Sequence, residues 1–263
     1  MTDGATTGIP IRAFVPNAIT AVALCFGLTG VRFAITGDWH QALACIIAAG
    51  VLDGFDGRIA RLLRAQSKFG AELDSLSDNI AFGTAPALII FLWSLQEAPR
   101  FGWIAALALA VCCALRLARF NARIDAHFQP HKSAGFNTGV PAPVGAGLAF
   151  VPIYLWLLSD NDLFRSWQLV LPWTLFIALL MISSVPTYTW TSIRIRRGWR
   201  LFALAGVALL VAALLSAPWT TLLAVSAVYL LLLPFGIASY AKVKRRRAAQ
   251  QAPGPVPPPY QAG

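Results

Sequence analysis

The sequence predicts an all-α, polytopic transmembrane bundle of about eight spans with both termini in the cytoplasm, and three observations carry that prediction. The 263-residue chain is 57% hydrophobic and only 12% charged, with a mean hydropathy of +0.65, where a soluble domain carries about 25% charged residues. Its apolar residues gather into runs near the ~20 residues that cross a bilayer. Its basic residues fall almost entirely in alternate connections between those runs.

The runs lie at roughly 15–36, 40–61, 73–96, 101–120, 141–158, 167–188, 201–217 and 219–240. Pro16 and Asn17 start the first, as suits a helix N-terminus. The polar stretch from Met1 to Arg12 leads straight into a full-length apolar run, so no cleavable signal peptide is expected. A short hydrophilic loop, Leu62 to Phe69, joins the second and third runs. A longer one, Asn121 to Val140, follows the fourth and contains His127, His131, Lys132, Asn137 and Gly139. Another basic loop covers Ile193 to Arg200. These boundaries define a polar N-terminal segment (1–14), a membrane domain (15–240) and a tail (241–263). The tail reads K-V-K-R-R-R from Lys242 and then turns rich in Pro, Gly, Gln and Ala. Such a composition cannot bury a core and is expected to be disordered. Its basic cluster would sit beside an anionic leaflet, as a stop-transfer anchor or a regulatory contact.

Orientation follows from charge. With the N-terminus inside, 18 of the 21 basic residues face the cytoplasm, and Arg32, Arg100 and Arg165 remain outside. Asp38, Glu97, Asp160 and Asp162 share that outer side. This asymmetry is what the positive-inside rule requires. It also explains the net charge of +10 without a nucleic-acid partner. Cys25, Cys45, Cys112 and Cys113 all fall within spans without metal-ligand spacing, and read as small packing residues. His127 and His131 are four apart but have no third ligand nearby, so they read as loop surface.

The polar residues that remain are concentrated between Asp53 and Asp78, in D-G-F-D-G-R-I-A-R, eight residues, then G-A-E-L-D-S-L-S-D. Each ionised carboxylate at membrane depth costs at least about 2.5 kcal/mol on insertion scales, so four together need bound cations. Asp53 and Asp56 are i,i+3 at the end of the second run, and Asp74 and Asp78 are i,i+4 at the start of the third. Each pair therefore shares a helix face, and a hairpin would bring the pairs together. Hard carboxylate oxygens suit Mg²⁺ or Mn²⁺. Two such ions about 3.5–4 Å apart form the clamp used for in-line displacement at phosphorus. Gly54, Gly57 and Gly70 leave room for a bulky ligand, and Arg61 is placed to pair with a phosphate oxygen. A hairpin that merely snorkels to the interface explains one stray charge, not this cluster.

These residues resemble the signature of the CDP-alcohol phosphatidyltransferases, D-x-x-D-G-x-x-A-R, eight residues, G-x-x-x-D-x-x-x-D. Asp53, Asp56, Gly57, Ala60, Arg61, Gly70, Asp74 and Asp78 fill every fixed position. The resemblance implies metal-dependent transfer of a phosphatidyl group from CDP-diacylglycerol to an alcohol, with release of CMP. It implies that Asp53, Asp56 and Asp74 are the principal metal ligands. Asp78 would complete the site and serve as the base. Gly57, Ala60, Arg61 and Gly70 would then face CDP-diacylglycerol, together with Asn17 and Thr20, which resemble nucleotide-contacting positions of the family.

Later blocks narrow the acceptor. F-G-T-A-P-A (Phe82 to Ala87), L-R-L-A-R-F-N (Leu115 to Asn121), F-N-T-G-V-P-A-P (Phe136 to Pro143) and S-S-V-P-T-Y (Ser183 to Tyr188) occur in the order seen in membrane-integral bacterial and archaeal phosphatidylserine synthases. That resemblance runs from about Pro16 to Tyr188 and implies L-serine as acceptor and the cell membrane as location. A serine carboxylate needs a fixed cation, and Arg116 and Arg119, i,i+3 at the end of the fourth run, are the best-placed pair; each also suits an anchor or a lipid-phosphate contact. Asn121 and Asn137 suit acceptor binding or helix capping. Membrane lipids and a second copy of the chain are further partners consistent with this reading. A sister transferase using glycerol 3-phosphate, inositol phosphate or choline is the nearest alternative. A divalent-cation transporter also needs intramembrane carboxylates but places them near midplane on discontinuous helices. A non-catalytic lipid-binding scaffold has no use for four metal-spaced aspartates.

Overall fold

The computed structural model describes residues 11–98, 100–124, 136–183, 186–188 and 200–251. Its helices are α1 (Ile11–Ile35), α2 (Trp39–Leu62), α3 (Lys68–Asn79), α4 (Ala85–Trp93), α5 (Phe101–Ile124), α6 (Ala142–Ala149), α7 (Val151–Ser159), α8 (Trp167–Ile182), α9 (Arg200–Ser216) and α10 (Pro218–Gln251). A π-helical turn, Ile80–Thr84, joins α3 to α4 without a break. Among the described residues, four continuous stretches are long and apolar enough to cross a membrane: Phe14–Ile35, Lys68–Trp93, Phe101–Ala122 and Ala142–Ser159. Trp167–Ile182, Leu201–Ser216 and Pro218–Pro234 are shorter apolar helices. The remaining helix, α2, carries Asp53, Asp56, Arg58 and Arg61 in its last three turns.

The fold is helical but not purely so. Phe136–Thr138 (β1) and Pro186–Tyr188 (β2) form a two-stranded antiparallel ribbon, with Phe136 opposite Tyr188 and Asn137 opposite Thr187. The sixth run was expected to stay helical through Tyr188. Instead α8 stops at Ile182, and Ser183 is already extended (φ −60, ψ 158). Pro186 is the physical reason: a proline ring disfavours helical backbone at the preceding residue and removes a donor. Two other ends also move. The third run begins as helix at Lys68 rather than near residue 73, because Ser67 caps it by accepting a hydrogen bond from the Gly70 N–H at 3.0 Å. The last helix continues through Lys242 to Gln251, where a disordered tail was expected. The Pro-rich residues 252–263, like His127, His131 and Lys132, lie outside the described residues.

Close packing of α1 on α2 builds the scaffold of the site. Gly37 (φ +79) follows α1 and permits the reversal, with the Asp38 N–H donating to Phe33 O at 2.9 Å and the Gly37 N–H to Ala34 O at 3.1 Å. Asp38 then caps α2 through the Gln41 N–H. Small residues let the backbones close in: a Cβ on Gly30 would lie 2.9 Å from the Ala42 carbonyl oxygen of α2, and one on Gly27 would lie 3.0 Å from Ala81 Cα of the π-turn. Helices in lipid associate through such close backbone approaches rather than through the hydrophobic effect. Further along, Ile89, Ile90 and Trp93 of α4 are fully buried among Leu109, Leu148, Ile153 and Ile177. At the end remote from the aspartates, Arg165 donates to the Trp93 carbonyl at 3.0 Å and lies over the Trp156 ring. Ser94 Oγ donates back to the Arg165 carbonyl at 2.6 Å.

Candidate metal centre and lipid-nucleotide cleft

The two carboxylate pairs converge. One oxygen from each of Asp53, Asp56 and Asp74 lies within 4.8 Å of the others. Asp78, one turn beyond Asp74 on α3, is not part of this trio but has Asp53 and Asp74 among its electrostatic neighbours. The electrostatic neighbours of Asp74 include the like-charged Asp56 and Asp53. The donor set is all hard oxygen, and its members are held together rather than splayed apart by repulsion. That arrangement fits a hard divalent cation.

Asp56 is the most enclosed of the four, at 4% exposure, and three helices hold it. The Thr20 hydroxyl of α1 donates to Asp56 Oδ2 at 2.6 Å, with the Pro16 carbonyl as a second acceptor at 3.1 Å. Ser77 Oγ of α3 donates to the Thr20 carbonyl at 3.2 Å. A hydrogen bond to an ionised group contributes about 1.5–3 kcal/mol, so Thr20 fixes which Asp56 oxygen faces the cluster. Thr20 was expected to face the nucleotide; it lines the cleft and also orients the Asp56 carboxylate. Ser77 was missed, since a lone serine inside an apolar run carries no motif.

Beside the trio opens a cleft of about 260 Å³, lined by Pro16, Asn17, Thr20, Asp56, Gly57, Ala60, Ala65, Gln66, Ser67, Gly70, Ala71 and Asp74. Five of the six residues expected to meet CDP-diacylglycerol are on its wall: Asn17, Thr20, Gly57, Ala60 and Gly70. Gly57 has nothing within 4 Å of where a Cβ would stand, so the space above it is open. Gly70 is the opposite case, because a Cβ there would come 2.9 Å from Asn17 Oδ1 and 3.1 Å from Ser67 Oγ. Arg61 is not on the cleft wall. It is exposed, and its Nε donates to the Gly57 carbonyl at 3.0 Å.

The π-turn begins two residues after Asp78, and the Ala85 N–H reaches Ile80 O across it. Pro86 accounts for its position: proline cannot donate, and its ring collides with the carbonyl four residues back, so an inserted residue relieves the clash. One extra residue rotates α4 relative to α3 by about 100°. The aspartates of α3 can then face α2 while Ile89, Ile90 and Trp93 face the core.

The arginines expected to hold the acceptor meet different surroundings. Arg119 donates through one terminal nitrogen to the carbonyls of Ile182 and Ser183, at 2.9 and 3.1 Å. Arg116 is half-buried, with its Nε shut off from solvent and without a hydrogen-bond partner among the described residues. Asn121 neither caps a helix nor opens onto the cleft; its Nδ2 donates to Ser75 Oγ of α3 at 2.8 Å. Asn137 lies in β1.

A hairpin of membrane helices that gathers acidic side chains beside a glycine-walled cleft defines a class, and the comparisons agree with it. The family model described as CDP-alcohol phosphatidyltransferase matches residues 13–190, and one described as CDP-alcohol phosphatidyltransferase 2 matches residues 198–234. The chain belongs to the CDP-alcohol phosphatidyltransferase family. A protein of Mycobacterium tuberculosis named CDP-diacylglycerol–serine O-phosphatidyltransferase is 34% identical over 249 residues, covering 90% of this chain and 87% of its own. Relatives of the same name from Mycobacterium leprae and Helicobacter pylori are 36% and 33% identical, covering 85% and 67% of this chain and 74% and 72% of theirs.

Proposed function

We propose that this protein transfers the phosphatidyl group of CDP-diacylglycerol to the hydroxyl of L-serine, giving phosphatidylserine and CMP. The observation that carries the reading is the meeting of three carboxylates within 4.8 Å at the edge of the cleft, in a chain whose relatives over most of its length bear that name. Divalent cations held by Asp53, Asp56 and Asp74, two of them and either Mg²⁺ or Mn²⁺, would neutralise the pyrophosphate and stabilise CMP as the leaving group.

The protein's own part is positioning. Asn17, Gly57, Ala60 and Gly70 admit the nucleotide-bearing headgroup while the acyl chains stay in the inner leaflet. Arg61, exposed at the rim with its Nε on the Gly57 carbonyl, pairs with a phosphate oxygen through its terminal nitrogens. Asp78, beside but outside the trio, takes the proton of the serine hydroxyl. That oxygen bonds to the diacylglycerol-bearing phosphorus as the bond from phosphorus to the CMP oxygen breaks. Most of the rate comes from orientation and fixed charge. The basic asymmetry of the loops supports about eight spans, cytoplasmic termini and a cytoplasmic active site. The test is CMP release by purified protein with a single alcohol supplied each time. Serine-dependent release is the expected result; release only with glycerol 3-phosphate, inositol phosphate or choline would refute the acceptor.

A further inference from the structure

Two cations at the turn between α2 and α3 stand where local backbone preferences argue against them. Arg64 follows α2 with φ +51, in the left-handed region. Its N–H donates to Arg61 O at 3.2 Å and the Ala65 N–H to Ala60 O at 2.9 Å, so this is the helix-ending position that glycine usually fills. A side chain there is strained where glycine is not. Lys68 opens α3, where the helix dipole disfavours a positive charge, and no acidic residue shares that first turn. Backbone strain of this kind points to a task for the side chain. Both cations are exposed, and the sequence holds no carboxylate between Asp56 and Glu72. The same turn exposes two large apolar side chains, Leu62 at 82% and Phe69 at 61%. Cations and apolar side chains together at the tip of a membrane hairpin match a leaflet surface. Lipid phosphates meet the first and the upper acyl region meets the second. Between them, Ala65, Gln66, Ser67 and Gly70 form one wall of the cleft. Anionic lipid held at this turn is therefore held at the mouth of the candidate site.

We propose that this turn is a lip that binds anionic lipid. Arg64 and Lys68 collect phosphate-bearing headgroups from the inner leaflet, while Leu62 and Phe69 seat in the acyl boundary beside them. Lipid gathered there passes laterally into the cleft. Arg64 and Lys68 touch neither the nucleotide nor the reacting atoms. The lip stands on the geometry of the turn; its effect on turnover rests on the CDP-diacylglycerol reading above.

Two measurements on the full-length protein in phosphatidylcholine vesicles test it. In the first, a bimane probe is attached at Leu62→Cys in a background lacking the four native cysteines. Quenching by acyl-brominated phosphatidylglycerol is compared with quenching by acyl-brominated phosphatidylcholine. Preferential quenching by phosphatidylglycerol is expected, with the preference reduced about fivefold by Arg64→Gln, as loss of one cation near an anionic surface does. Quenching by neither lipid, or equally by both, overturns the proposal. In the second, CMP release is followed against the surface concentration of CDP-diacylglycerol. Combining Arg64→Gln with Lys68→Gln is expected to raise the surface KM by about fivefold or more at low salt, with kcat and metal-dependent binding of soluble CDP retained. The difference should shrink at high salt. An unchanged surface KM refutes the lip; loss of CDP binding places these cations on the nucleotide and refutes it too. Arg64→Gly relaxes the left-handed position while deleting the charge. A raised surface KM at an undiminished thermal midpoint supports the proposal, and a lowered midpoint at an unchanged KM reduces Arg64 to a helix cap and overturns it. If the unsubstituted protein releases no CMP with any alcohol, the transferase reading fails, and the quenching preference alone decides whether the lip binds anionic lipid.

Discussion

Asp56 illustrates how single residues make the site. A carboxylate at 4% exposure is stable only if something fixes its oxygens, and Thr20 does so from another helix at 2.6 Å. Thr20→Val keeps the shape and removes the donor; it is expected to raise the metal concentration for half-maximal activity by roughly 10–100-fold, with Thr20→Ser near normal. A metal titration of CMP release checks this. Asp53→Asn, Asp56→Asn and Asp74→Asn each remove a charged oxygen from the trio, and activity should fall by roughly 10²–10³-fold or more, together with metal-dependent nucleotide binding. Asp78→Asn should lower turnover far more than CDP-diacylglycerol affinity; equal losses in both would refute its role as base. The cleft glycines differ in kind. Gly57→Leu fills open space and should raise the CDP-diacylglycerol KM at unchanged thermal stability, whereas Gly70→Ala presses on Asn17 and the Ser67 cap and should lower both affinity and stability.

Between elements, close approach and register decide. Gly30→Val would press two methyls against the Ala42 carbonyl of α2, backbone that cannot step aside, and should destabilise by about 1–3 kcal/mol, read as a lower thermal midpoint in detergent. The π-turn at Ile80–Thr84 sets the rotation between α3 and α4. Pro86→Ala restores an N–H and removes the ring, allowing regular α-helix through this turn. The expected outcome is lower kcat with thermal stability retained, because the helix itself improves while the α3 aspartates turn away from α2. Elements also show where sequence patterns were silent. In the apolar run 167–188 the split into α8 and β2 falls at Ser183, where two serines and then Pro186 interrupt the run; these are local marks that hydrophobic periodicity does not register. Ser67, in contrast, was a readable cap, standing between a turn and a helical run.

For the whole molecule, the asymmetry of basic residues predicts that the aspartate end of the bundle faces the cytoplasm. A single cysteine introduced at Gln66 in a background lacking Cys25, Cys45, Cys112 and Cys113 should react with impermeant maleimide in inside-out vesicles and not in right-side-out ones. The opposite result would invert the topology. Chelation should abolish CMP release, and added Mg²⁺ or Mn²⁺ should restore it. Restoration by neither would refute the metal centre.

Sequence alone determined the membrane class and the identity of the acidic cluster, because hydropathy and fixed motif spacing are local properties of a chain. The i,i+3 and i,i+4 spacing of Asp53, Asp56, Asp74 and Asp78 even fixed which carboxylates share a face. Tertiary structure alone decided that Thr20 and Ser77 brace Asp56, that the π-turn aims α3, and that Arg119 is engaged while Arg116 Nε is not. Those facts depend on which backbone carbonyl or side chain lies opposite across a helix interface. No spacing within one helix encodes its neighbour's contacts.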